Sequence, residues 1–178
     1  MTVIQLAVPV GECDHIQGAE NAAVVLLEYG DYECLRCKEM HRIIKTIQKQ
    51  RDQSLRFVFR HFPLVAIHPM AQHLAETVEA AAAQGYFWEV HDYLFEQLHF
   101  AGNGNLHRYV TTLGLDVDRF EREIAEHLYV DRVRVDLQSG LASGVNGIPT
   151  LFINNIRHDG SWDLNSVQAA VTTAYKTS

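Results

Sequence analysis

The chain has 178 residues, 47% of them apolar and 21% charged, with a formal net charge of −7. This balance suits one soluble domain, or one domain carrying a sizeable insertion, that can bury a core without disulfide staples. The acidic charge and the lack of any Lys/Arg run argue against a nucleic-acid partner, and no apolar stretch reaches the roughly 18 residues of a membrane helix.

The first ten residues lack the basic start and long apolar run of a secretory signal, so the expected compartment is the cytoplasm, or the periplasm or exterior if a signal was removed. Residues 1–22 read as turn-forming pieces around an isolated Cys13, expected to be a buried or incidental thiol. Ala22 to Tyr29 is a continuous β-rich apolar run closed by Gly30-Asp31, the pattern of a strand buried on both faces. From Cys34 to Gln50 the apolar residues Met40, Ile43, Ile44 and Ile47 recur at helical spacing. Leu55 to Phe62 alternates with period two and stops at Pro63, which predicts a second strand. A β–α–β order of this kind makes a parallel pair.

After Pro63 the chain is helical in character. The pattern predicts helices over 70–84, opened by Pro69 and stopped by Gly85, then over 86–98, 105–113, 117–127 and 129–142, with breaks at Gly102-Asn103-Gly104 and Gly114. The aromatics Tyr86-Phe87-Trp88 and Tyr93-Leu94-Phe95 are expected to pack within this insertion. Two short strands, 149–153 and 156–158, follow around the hairpin turn Asn154-Asn155. Asp163 is a good N-cap for a last helix over 164–175. The expected division is a sheet domain from residues 1–63 and 144–178, with a helical insertion at 64–143.

Cys13, Cys34 and Cys37 are too few for a disulfide scaffold, and two of them form Cys34-Leu35-Arg36-Cys37 between a strand and a helix. A helix N-terminus stabilises an anion, and the permanent charge of Arg36 is expected to push the same way. Thiols in such settings have pKa values of roughly 3.5–7.5, against about 8.5 when free. The pair therefore reads as a redox couple in which Cys34 attacks and Cys37 resolves the mixed disulfide. The rival is zinc held by Cys34, Cys37 and His41, one helical turn further on, with no obvious fourth ligand. The ten histidines are scattered, without the H-x-x-x-H spacing of a helical metal site, and no metal site is expected. Glu28 stands out inside an apolar run, because an unpaired buried carboxylate is costly.

The segment Leu26-Leu27-Glu28-Tyr29-Gly30-Asp31-Tyr32-Glu33-Cys34-x-x-Cys37 resembles the active-site segment of DsbA-like thioredoxin-fold thiol–disulfide oxidoreductases. Phe57 to Leu64 is similar to that family's second-strand segment, and Gly144 to Asn154 to its Pro-loop and following strand. The helical stretch between them sits where the family inserts its helical domain. The resemblance implies an α/β thioredoxin-like fold, a central mixed sheet flanked by helices with an inserted α-helical domain. It also implies an enzyme that exchanges disulfides with protein or peptide thiols and is regenerated by a further redox partner. No dissociable cofactor is needed, since the electrons reside in Cys34 and Cys37. A monomer without a membrane partner is expected. Carried over residue by residue, it implies a cis peptide before Pro149 packed against the cysteines, with Ile148 offering backbone groups to substrate. Glu28 matches a buried acid beneath the site, a proton acceptor near Cys37. The one departure is Leu35, where the family usually has Pro. The rival functions are a cytoplasmic reductase or detoxifying enzyme for small disulfides, and a non-enzymatic redox switch or zinc-binding module.

Overall fold

In a computed structural model that describes residues 3–51, 54–97 and 103–177, with side chains from residue 105 in the last stretch, the two expected apolar runs pair in parallel. The first is β2 (Val24–Gly30) and the second β3 (Leu55–His61), joined by α1 (Leu35–Arg51). Strands β4 (Thr150–Ile153) and β5 (Ile156–Arg157) add antiparallel on the other side of β2. Asn154 and Asn155 between them have φ of 46° and 67°, the left-handed pair that a type I′ hairpin demands.

Residues 15–17, read from sequence as part of a turn-rich segment, instead form a strand, β1 (His15–Gln17), antiparallel to the outer edge of β3. Three residues are too few for a periodic signal, yet they satisfy backbone groups that β3 would otherwise leave unpaired. The turn that follows needs Gly18: its φ is 104°, and a Cβ there would sit 2.3 Å from the Leu55 carbonyl oxygen. The sheet order is β1-β3-β2-β4-β5.

Between β3 and β4 run α2 (Ala71–Ala82), α3 (Phe87–Gln97), α4 (Asn103–Leu113), α5 (Val117–Ala125) and α6 (Val130–Ala142). Asn103 and Gly104, expected as a break, belong to the first turn of α4, where the amides lack intrahelical partners and Gly is tolerated. Leu98 and Gly102 lie outside the described residues. The last helix is α7 (Leu164–Thr177), and Asp163 accepts the Ser166 amide at 3.0 Å, as an N-cap does.

Period two in β3 separates one buried face from another. Phe57, Phe59 and His61 face α2 and α3: the Phe57 ring lies 5.6 Å from Trp88 and the Phe59 ring 4.6 Å from His91. Of the aromatics expected to pack within the helical insertion, Tyr93 does so, stacked on Tyr109 of α4, whereas Phe87, Trp88 and Phe95 meet rings of β3. On the opposite face Arg60, 3% exposed, donates to both oxygens of Asp14 (2.6 and 2.9 Å), to the Val8 and Pro9 carbonyls, and to the Tyr29 hydroxyl. Tyr29 in turn meets Ser139 of α6 at 2.9 Å. A fully bonded buried guanidinium of this kind ties the N-terminal segment, the sheet and α6 together. Breaking such a pair by removing one partner costs about 3–5 kcal/mol.

Candidate active site

Because β2 and β3 are parallel, their C-terminal ends open at the same sheet edge, and the loops that follow them meet there. Asp31, in the first loop, is the joint. Its carboxylate accepts the Glu33 amide at 2.8 Å and the Leu64 amide at 3.1 Å, and lies 2.8 Å from His68 Nδ1. Glu33 accepts the Met70 amide at 2.6 Å, a second tie between the loops.

These contacts present the start of α1. Cys34 stands one residue before the helix, and its Sγ accepts the Cys37 amide at 3.4 Å, the bond an N-cap side chain makes to the third helical residue. The Cys34 thiol is thereby lowered to about 6. The Cys37 side chain donating to Cys34 contributes most, burial opposes it, and the backbone amides of Cys37 and Arg36 and the charge of His68 add to it. Cys37 moves the other way. Burial pushes its thiol well up, helped by the bond it gives to Cys34 and by repulsion from Glu28 once that carboxyl ionises. One sulfur is thus prepared as a thiolate and the other as a thiol.

Arg36 does not act as its charge suggested. It is exposed, and what it gives Cys34 is the hydrogen bond from its backbone N–H. The charge that does reach Cys34 comes from His68, in the loop after β3. Neither His68 nor Asp31 stood out in the sequence. The available signal was topological: a loop following a strand parallel to β2 must open beside the start of α1.

Cys34 is only 7% exposed and floors an open groove of about 380 Å³ lined by Leu35, Arg36, Leu64, Ile67, His68 and Ile148. Its Sγ is 3.9 Å from the Ile148 carbonyl oxygen, and the Ile148–Pro149 peptide is cis. The Pro-loop, distant by more than a hundred residues, therefore forms the wall opposite the helix tip. Glu28, on β2, is 1% exposed, and its Oε1 has no hydrogen-bond partner. Burial, with the charge of Cys34 adding to it, pushes its carboxyl well above the ordinary value, so it is held as the neutral acid. Gly30 leaves room for it, since a Cβ there would lie 3.2 Å from Glu28 Oε1 and 2.8 Å from the Phe59 ring.

His41 is buried, but it is not brought to the cysteines. It stacks on Phe95 and turns towards α3, and burial lowers its imidazole to about 4. Among the described residues the groups spaced to hold a cation are His15/His61/Glu79 and His41/His91/Asp92, neither of which includes a cysteine. The rival zinc set of Cys34, Cys37 and His41 is not among them, because the His41 ring stacks on Phe95 and turns to Asp92 of α3. Cys13, read as a buried or incidental thiol, is exposed.

The family model described as Thioredoxin matches residues 11–173. The chain belongs to the thioredoxin family. Among solved structures, BdbD of Bacillus subtilis in its oxidised form superposes with a TM-score of 0.81 at 18% identity, covering 92% of this chain and 94% of that one. Alpha-DsbA1 of Wolbachia pipientis gives 0.79 at 20%, covering 97% and 95%. These likenesses show that this thioredoxin-family chain has the DsbA-like form of the fold. Curated relatives are the Na(+)/H(+) antiporter NhaA 3 of Salinispora tropica, 38% identical over 174 residues, and the Na(+)/H(+) antiporter NhaA of Herminiimonas arsenicoxydans, 38% over 160. The match covers 97% and 90% of this chain but 26% and 25% of those proteins, so the chain spans about a quarter of the length of the curated relatives it matches. Among the described residues, no helix is long and apolar enough to cross a membrane.

Proposed function

We propose that the chain is a thiol–disulfide oxidoreductase acting on protein or peptide thiols, with Cys34 as the exchanging sulfur and Cys37 as the resolving one. The reading is carried by the opposed acidities of two cysteines in one helical turn, Cys34 lowered to about 6 and Cys37 raised. In the oxidised form a substrate thiolate attacks Cys34 Sγ, the Cys34–Cys37 bond breaks, and Cys37 leaves and takes up a proton. In this reading the Glu28 carboxyl beneath the pair exchanges that proton. A second substrate thiolate then attacks its own sulfur in the mixed disulfide and expels Cys34 as a stable thiolate. Two substrate thiols become a disulfide, the enzyme gains two electrons, and a regenerating disulfide partner removes them.

A stabilised Cys34 thiolate favours the reduced enzyme, so the proposed direction is oxidation of dithiols. The groove suits an extended polypeptide. Ile148 offers main-chain groups on one wall, and Leu35 and Ile67, 64% and 68% exposed, form an apolar rim that side chains of a peptide could cover. The match to a quarter of antiporter-named proteins concerns where such a module occurs, and ion transport is no part of this reading.

Equilibration in glutathione buffers of graded poise, with trapping of free thiols, tests the direction. A Cys34–Cys37 couple at about −120 to −180 mV supports the oxidant reading, and one near −270 mV makes the protein a reductase, as a cytoplasmic setting would require. A pair that never closes to a disulfide overturns the redox reading altogether.

A further inference from the structure

One turn beyond Cys37, α1 faces α3 across a pocket of polar atoms that the redox chemistry does not use. A ring nitrogen of His41, a ring nitrogen of His91 and a carboxylate oxygen of Asp92 all lie within 4.8 Å of one another. Two of the atoms there are orphans: His41 Nε2 and Asp92 Oδ1 are buried, have no hydrogen-bond partner, and face each other at 3.7 Å. That separation is too long for a hydrogen bond. It is close to what two ligands of one small cation span when each bond is about 2.0–2.2 Å. Glu96 Oε1, one helical turn beyond Asp92, lies 3.9 Å from the same His41 nitrogen. His41 is 4% exposed and His91 1%, so neither ring can turn to water for a partner. The Tyr32 hydroxyl, 3.0 Å from His91 Nδ1, holds the second ring in place, as outer contacts hold ligating imidazoles.

We propose that His41, His91 and Asp92 bind a divalent cation of the zinc class, with a further position open to water. Two imidazoles and one carboxylate are a donor set such an ion accepts in four-coordinate form when water fills the fourth position. The ion would pin α1, which carries the cysteines, to α3. The groups that oppose it are basic: Lys45 Nζ sits 2.5 Å from Asp92 Oδ2, Arg42 acts on His41, and Lys38 Nζ donates to the Glu96 carbonyl at 3.4 Å. Lys45 occupies the outer carboxylate oxygen and leaves Oδ1 turned to His41. The other candidate cluster differs, because the Nε2 atoms of His15 and His61 already meet the same Glu79 oxygen, at 2.8 and 2.9 Å, with Arg132 3.7 Å from it. Its ligand atoms are spent on one another.

The test uses the oxidised protein carrying Cys13→Ser, so that no thiolate can bind metal. Equilibrium dialysis against Zn²⁺, with Co²⁺ absorption as the report on geometry, should show one equivalent bound and a tetrahedral cobalt spectrum. Asp92→Asn, conservative and on a partly exposed helix, and His41→Gln should each weaken binding by about 10–100-fold, the usual loss when a site is disturbed. Lys45→Gln should tighten it and His61→Gln leave it unchanged. Retained circular dichroism, and unchanged Cys34 alkylation after reduction, in Asp92→Asn separate lost binding from lost fold. No zinc on the oxidised protein, or zinc bound equally by Asp92→Asn and His41→Gln, overturns the proposal and leaves the redox reading untouched.

Discussion

His68 Nδ1 lies 2.8 Å from Asp31 Oδ2, although the two residues are separated by the whole of α1 and β3. Asp31 is fully bonded by backbone amides on its other sides, so it fixes the ring rather than following it. The result is an imidazole held on the wall of the groove that Cys34 floors, where it lowers the Cys34 thiol, a task a motif residue such as Arg36 was expected to perform.

A substitution pair separates the two. His68→Gln removes the charge and should move the Cys34 titration upward from about 6, cutting the thiolate present at pH 6 by about twofold. Arg36→Ala keeps the backbone amide and should leave the titration where it is. Thiolate ultraviolet absorbance against pH reads both, and a larger shift in Arg36→Ala than in His68→Gln would sink this assignment.

The opposed acidities make a kinetic forecast. With Cys13→Ser as background, iodoacetamide at pH 7 should label Cys34 at least about 100-fold faster than Cys37, because only the former is largely thiolate. Labelling should slow as the pH falls through about 6. Cys37→Ser should accumulate a mixed disulfide with substrate, and Cys34→Ser should lose exchange. Mass analysis that finds Cys37 labelled first would reverse the roles.

Glu28 makes the fold sensitive to alkali. Burial raises its carboxyl in the folded state above the ordinary value near 4.5, so folding binds a proton and stability declines as the pH rises from there towards the folded-state value. Glu28→Gln removes that decline. It should add about 1–3 kcal/mol at pH 8, the range for relieving an unsatisfied buried polar group, and nothing at pH 4. Urea unfolding at the two pH values measures the difference, and Cys37 resolution should slow in the same variant. An equal gain at both pH values would mean that the acid is not held neutral.

Gly140 sets how closely α6 approaches the sheet. A Cβ there would lie 2.7 Å from two ring carbons of Phe62 and 3.1 Å from Tyr29 Cδ1. Gly140→Ala should cost about 1–3 kcal/mol through overpacking. Gly147→Ala, with nothing within 4 Å, should change stability by no more than about 0.5 kcal/mol. Parallel denaturation curves decide it, and a neutral Gly140→Ala would show that α6 has room to move.

The order of strands and helices, the Asn154-Asn155 turn, the Asp163 cap and the Cys34–Cys37 pair were all legible in the chain. Each rests on residues within a few positions of one another: apolar spacing, a positive φ that Asn tolerates, a carboxylate before a helix, two thiols on one turn. Glu28 was legible as an anomaly, a charge inside an apolar run. What eluded that reading is everything set by distance in sequence and closeness in space. The strand at 15–17 exists because β3 has an edge to satisfy, and α3 packs Phe87, Trp88 and Phe95 on the sheet because the aromatic face of β3 lies there. His68 acts on Cys34 because two parallel strands end side by side and the loops after them meet at the helix tip. His41 left the cysteines for Asp92 because the face of α1 that carries it points at α3. Local pattern encodes which residues can do chemistry; which of them meet depends on strand order and helix facing, and those follow from packing the whole chain at once.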